Sequence, residues 1–169
     1  MIRAGTVVLL LLLACGCSAD DGSEPSGEDP GEDPSEVPRD LRVERISSGA
    51  PGEGPEEPRV IVAPSAAALS EAIGASVSDS GEGAYLAAYW GEKSTGGYSL
   101  EVRSARLEGD RVKVRLILEE PPPDAVVTQA LTYPYAVAVV RDLDPGGMEF
   151  SLTDQSGRAL GWPVRLVGG

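Results

Sequence analysis

No histidine occurs anywhere in the 169 residues. That removes the general base of Ser-His-Asp and Cys-His catalysis, and with it the commonest protein ligand of transition metals. The chain has only two cysteines, Cys15 and Cys17. Everything after them is therefore without a disulfide, a thiol nucleophile or a thiolate metal site. Lys93 and Lys113 are the only lysines, and a Ser–Lys dyad would have to use Lys93 beside Ser94, an adjacency that does not hold amine against hydroxyl. The adjacent carboxylates Glu119 and Glu120 would point to opposite faces of a strand. Asp142-x-Asp144-x-Gly146 lacks the third oxygen ligand and the distal Glu of a calcium loop and reads as a turn. No glycine-rich phosphate cradle leads into a helix, and a net charge of −13 argues against nucleic acid. The expectation is a non-catalytic chain with no cofactor and no metal.

What is present begins with an address. Arg3 precedes the apolar run Val7–Leu13, which is too short to span a bilayer as a helix and has the form of a signal peptide. It runs into Leu12-Leu13-Ala14-Cys15, which resembles the lipobox of bacterial lipoproteins. The resemblance implies a leader over 1–14, acylation of Cys15 (with Cys17 as the alternative acceptor) and a lipid-anchored place in the bacterial cell envelope. The residue after the acceptor would be Gly16 or Ser18 rather than Asp, which by analogy favours the outer membrane.

From 15 to 58 the sequence reads as an anchored N-terminus followed by a linker. Gly, Pro, Ser, Asp and Glu dominate, and Gly-Glu-Asp-Pro occurs at 27–30 and again at 31–34. Such a composition cannot bury enough apolar surface to offset its ordering entropy. Residues 20–58 carry a net charge of −10 and residues 59–169 only −4, so the acidity belongs mainly to this tether. Its self-repulsion would extend a coil that otherwise reaches roughly 35 Å. Val37–Ile46, with Arg39, Arg42 and Arg45, interrupts the acidic run and is read as more linker, with a marginal helix or a docking segment as the alternatives.

Residues 59–169 suffice for one domain. Val60-Ile61-Val62 is a short apolar strand, and Ser65 is placed to cap a helix that Gly74 stops. Apolar residues alternate at Val112, Val114, Leu116 and Leu118, as in a strand with one face buried. Tyr98, Leu100 and Val102 alternate too, and then the phase slips to Ala105 and Leu107, the mark of a bulge. Further strands are predicted over 84–90, 126–132 and 135–140, followed by a C-terminal hairpin over 148–166. The predicted class is mainly β: a β-sandwich or partly open barrel of about seven strands with one short N-terminal helix.

The stretch Gly91–Ser99 stands apart from this regularity. Gly96-Gly97 permits positive φ, Ser94 and Thr95 can tighten a turn, and Trp90 and Tyr98 bracket it with large rings. Trp90-Gly91-Glu92-Lys93-Ser94-Thr95-Gly96-Gly97-Tyr98-Ser99 resembles the TGGY-S signature of the PrcB C-terminal domain family. The likeness continues through Val112–Leu118, Pro121-Pro122-Pro123 and Val127–Tyr135. It implies a small β-rich module of bacterial envelope proteins, an accessory to a protease complex. Its partner would be another envelope protein, with a membrane reached through the N-terminal lipid. Trp90, Lys93, Ser94, Thr95, Gly96, Gly97 and Tyr98 are then the candidate partner-binding residues, the alternative being a plain hairpin turn. Ser94–Tyr98 is also similar to the loop by which chagasin-type inhibitors enter cysteine proteases, so the alternatives to a partner-binding accessory are a protease inhibitor acting through this loop and a structural envelope lipoprotein. Gly161-Trp162-Pro163 is a poor counterpart of that family's second, aromatic loop. Tyr85, Tyr89, Trp90, Tyr98, Tyr133 and Tyr135 supply either contact anchors or the core of the domain.

Overall fold

The structure, a computed structural model, describes residues 37–168. The expected leader, Cys15, Cys17 and the acidic repeats lie outside the described residues. Ten strands and one helix follow in the order β1 (Arg39–Leu41), β2 (Val43–Gly49), β3 (Arg59–Ala63), α1 (Ala66–Ile73), β4 (Gly83–Tyr89), β5 (Ser99–Glu108), β6 (Arg111–Glu119), β7 (Tyr135–Arg141), β8 (Glu149–Thr153), β9 (Ala159–Leu160) and β10 (Val164–Leu166). They form two five-stranded mixed sheets, ordered β1-β5-β6-β8-β9 (sheet A) and β10-β3-β4-β7-β2 (sheet B). The result is a sandwich, not a closed barrel.

The long hairpin β5–β6 is the frame of sheet A. Its strands run antiparallel from Ser99 opposite Glu119 to Glu108 opposite Arg111, with a register shift between Val102 and Ser104 where the apolar phase slips. The shift brings Ala105 back to the inner face, so Val102, Ala105, Val112, Val114 and Leu116 all point between the sheets and are buried. Fully burying a Val or Leu side chain contributes about 1.5–3 kcal/mol each.

Sheet B is covered on both sides, which explains why β4 and β7 read as nearly unbroken apolar runs. Val60, Val62, Ala84, Leu86, Ala88, Ala136, Ala138 and Val140 face sheet A. Ile61, Ala63, Tyr85, Ala87, Val137 and Val139 face the other way, towards α1. Ser65 caps α1 by accepting a bond from the Ala68 N–H at 3.2 Å, and Gly74 ends it in the left-handed conformation. Leu69 is the fully buried side chain of that helix. Tyr85, also fully buried, fixes the following loop. Its hydroxyl bonds the Gly81 carbonyl at 2.7 Å and accepts from the Ser80 N–H at 2.8 Å.

Three expectations need correction. The stretch 15–58 is not linker throughout, because β1 and β2 lie inside it and pair with β5 and β7. Leu41 and Val43 pack on the inter-sheet core and Ile46 on the helix side. A bulge between Arg45 and Ser47 breaks the alternation there. The charged neighbours that made this stretch look solvated are partners: Glu44 pairs with Arg42 at 2.7 Å and with Arg141 of β7. The predicted strand 126–132 is instead a largely exposed loop, held by a β-bridge between Lys93 and Thr132 and by the Gly96 N–H on the Thr128 carbonyl. The C-terminal hairpin is realised only as β8 and β9. After Gly161-Trp162-Pro163 the chain changes layer, and β10 joins sheet B parallel to β3.

Candidate functional site

Trp90 follows β4 at the rim of the sandwich, where its backbone N–H donates to the Pro134 carbonyl at 2.9 Å. The chain must then turn away from sheet B and climb to sheet A. Gly91 makes that possible with φ of 80°; a Cβ there would lie 2.6 Å from the Glu56 carbonyl oxygen. The Glu92 N–H donates to that same carbonyl at 2.9 Å, so the 50–58 segment backs the loop from below.

From Lys93 the loop runs against the segment after β6. The Lys93 N–H donates to the Thr132 carbonyl at 2.8 Å and the Thr132 N–H returns the bond at 2.9 Å. The buried Thr132 hydroxyl donates to the Thr95 carbonyl at 2.7 Å, and the Gly96 N–H donates to the Thr128 carbonyl at 3.0 Å. Both central glycines are required by close approach. A Cβ on Gly96 would collide with the Thr128 hydroxyl. One on Gly97, whose φ is 90°, would lie 2.8 Å from Pro121 Cβ. Gly96 is buried beneath its neighbour, so the loop is a pinned strap rather than a projecting tip.

The side chains of the strap form one stacked group. The Trp90 and Tyr98 rings meet edge to face at 80° with centroids 5.5 Å apart, an arrangement worth about 0.5–1.5 kcal/mol beyond its burial. The Lys93 ammonium lies 4.5 Å from the centroid of the Trp90 ring and 5.7 Å from that of Tyr98. Burial pushes the Lys93 pKa down, and the nearby Glu120 carboxylate opposes that shift. Trp90 and Tyr98 both pack on the inter-sheet core. Among the candidate residues, Ser94 and Gly97 are exposed. Trp162, proposed above as the poor counterpart of a second inhibitor loop, lines a hollow together with Trp90, Leu118 and Glu120.

The aromatics therefore divide. Tyr85 is core, Trp90 and Tyr98 close the rim of the core, and Tyr89 and Tyr135 stand on the helix side of sheet B with centroids 6.4 Å apart. Tyr133 donates to the Glu92 carboxylate at 2.6 Å, which holds its hydroxyl pKa above the usual range. Lys113 pairs with Glu108 at 3.1 Å on the outer face of sheet A, remote in the sheet from Ser94. Ser99 donates to Glu119 at 2.8 Å, while Glu120 neighbours Lys93, so the two adjacent carboxylates serve different partners. Asp144 accepts from the Gly146 N–H at 2.9 Å, the turn expected there. Among the described residues no group of three or more Asp, Glu, His or Cys is placed to hold a metal, and no helix is long and apolar enough to cross a membrane.

Sequence reasoning missed the apolar residues that the loop beside the strap presents to solvent. Val126 is fully exposed and Leu131 is 50% exposed, both on the loop that the strap holds through Thr128 and Thr132. Read as strand residues they looked like core; only the absence of a paired neighbour turns them outward.

The region between β4 and β7, strap and exposed loop included, is also where the chain has a recognisable relative. Residues 84–141 match the family model described as PrcB C-terminal, about one third of the 169 residues. Among curated proteins and among solved structures, none matches the chain.

Proposed function

We propose that the chain, whose residues 84–141 match the family model described as PrcB C-terminal, is a non-catalytic, lipid-anchored envelope protein whose β-domain docks on a protease complex through the 124–131 loop and the strap beneath it. The family match is consistent with an accessory role in a protease complex. The observation that carries the reading is the pair Val126 and Leu131, apolar and exposed on a loop whose backbone is held at both Thr128 and Thr132. A loop ordered by neighbouring backbone loses little entropy on binding, and exposed aliphatics supply a desolvating anchor. Trp90, Lys93 and Tyr98 act from behind, setting the loop rather than touching the partner. Ser94 and Gly97 belong to the contact surface. Acylation at Cys15 would hold the module at the envelope, with the residues up to 36 as spacer.

A photocrosslinking residue at position 126 of the full chain, compared with one at exposed Arg115 on the outer face of sheet A, tests this in native envelopes. Position 126 is expected to capture a protease subunit, position 115 is not, and Leu131→Asp is expected to reduce the capture severalfold without lowering the melting temperature. Cys15→Ser is expected to release the chain from the membrane fraction. Equal capture from both positions, or none from 126, would overturn the docking surface.

A further inference from the structure

The helix-side face of sheet B is longer than the helix that covers it. Past the end of α1 a cleft of about 530 Å³ remains, within the size range of small-molecule sites. Its floor is Ile61 and Val137, with Ile73 from the end of α1 on one side and Tyr89 and Tyr135 on the other. The 51–55 segment forms the remaining wall. That wall is fixed to the body of the domain, because the Pro51 carbonyl accepts the Tyr133 N–H at 2.9 Å.

Two arginines flank this apolar floor, and the register places both on its face. Arg165 of β10 stands opposite Ile61 of β3, and Arg59, two residues before Ile61, stands opposite Tyr89 of β4. Both line the cleft. Among the described residues Arg42, Arg103, Arg106, Arg111, Arg141 and Arg158 form ion pairs; of the arginines that do not, Arg59 and Arg165 are the two that line the cleft. The Tyr89 and Tyr135 hydroxyls likewise make no hydrogen bond within the described residues, whereas those of Tyr85 and Tyr133 are engaged. Burial raises the Tyr89 pKa, and the Arg59 charge opposes the shift. Glu53 at the wall is the one carboxylate of the lining.

In a chain of net charge −13, two unpaired guanidiniums beside unpaired phenols and an apolar floor form an anion-selective end on a hydrophobic slot. We infer that this cleft binds a small amphipathic carboxylate, its apolar body on Ile61, Ile73 and Val137 and its carboxylate between Arg59 and Arg165. A cationic or neutral molecule with the same tail gains the floor but not the arginines. This inference does not depend on the protease-docking reading, which uses the 124–131 loop and the strap.

The test uses the full chain, methyl-labelled at Ile and Val, titrated with decanoate, decanol and decylammonium below their aggregation limits. Decanoate is expected to shift the Ile61, Ile73 and Val137 methyl resonances in a saturable manner, with decanol and decylammonium much weaker. Arg59→Gln with Arg165→Gln, both exposed and free of ion pairs, is expected to weaken decanoate roughly tenfold or more and leave decanol unchanged. Ala75→Trp at the mouth is expected to block all three. No saturable shift with decanoate, equal binding of the three tails, or an undiminished response in the double variant would each overturn the inference.

Discussion

Sheet B has two apolar faces made from the same strands, and they are closed in different ways. One is covered along its length by sheet A, so Val60, Val62, Leu86 and Val140 are all buried to 1% exposure or less. The other is covered by one eight-residue helix and the loop that Tyr85 holds, and where these stop, Ile61 remains 8% exposed and Tyr89 and Tyr135 only partly buried. Alternation along a strand makes both faces equally apolar; what differs is the area that the covering element supplies. Both faces contribute stability, and the second also leaves a cleft.

Truncation is the strongest way to break this comparison. Leu86→Ala, in the sealed layer, is expected to cost about 3 kcal/mol, within the range for Leu→Ala changes that leave a cavity. Ile61→Ala, on the cleft floor, is expected to cost about half of that, because solvent already reaches the site and no closed void forms. Equal losses in denaturant unfolding would show that the two faces are equally closed. A smaller effect sharpens the contrast from the covering side. Ser65→Ala removes the cap of α1 and is expected to cost about 1 kcal/mol. Amide exchange should speed up in α1 and at Val77, while β5 and β6 stay protected.

Acid distinguishes the two covers more gently. On sheet A, the Asp154 carboxylate accepts from the Ser156 hydroxyl at 2.6 Å and from the backbone N–H groups of Ser156 and Arg158, which together hold its pKa below the usual range. On the helix side Asp79 is held low by the Gly81 N–H and the Tyr85 hydroxyl. A depressed folded-state pKa contributes stability that is fully present above the unfolded value, about 3.9, and is lost as pH falls through the folded value. Asp154→Asn is therefore expected to melt below wild type at pH 7 and to converge with it near pH 2. A gap independent of pH would mean that the turn does not depend on the ionised carboxylate.

Much of this was legible along the chain. The period-two pattern of Val112–Leu118, the slip at Ala105, the Ser65 cap and the Gly74 stop each follow from local chemistry, and each stands where it was expected. The strands within 39–49 were hidden because Arg42, Glu44 and Arg45 mimic a solvated linker, and their neutralising partner Arg141 lies 97 residues from Glu44. The exposed loop 126–132 was mistaken for a strand because β-branched residues indicate strand propensity, not the presence of a neighbour. The candidate strap was visible as glycines and aromatics. That Trp90 and Tyr98 close the core while Val126 and Leu131 meet solvent was not.

Local chemistry along the chain is enough to specify a mainly β domain with one capped helix, a charge carried mostly ahead of residue 59, and an inventory of side chains without histidine. These depend on composition and on neighbours a few residues apart. Tertiary structure alone decided that β6 and β8, and β3 and β10, pair in parallel, and that Gly96 and Gly97 lie under Thr128 and Pro121. It also decided that Arg59 and Arg165 share one face. Each of these is a contact between distant parts of the chain, set by which surfaces could be buried together, and no local pattern carries that information.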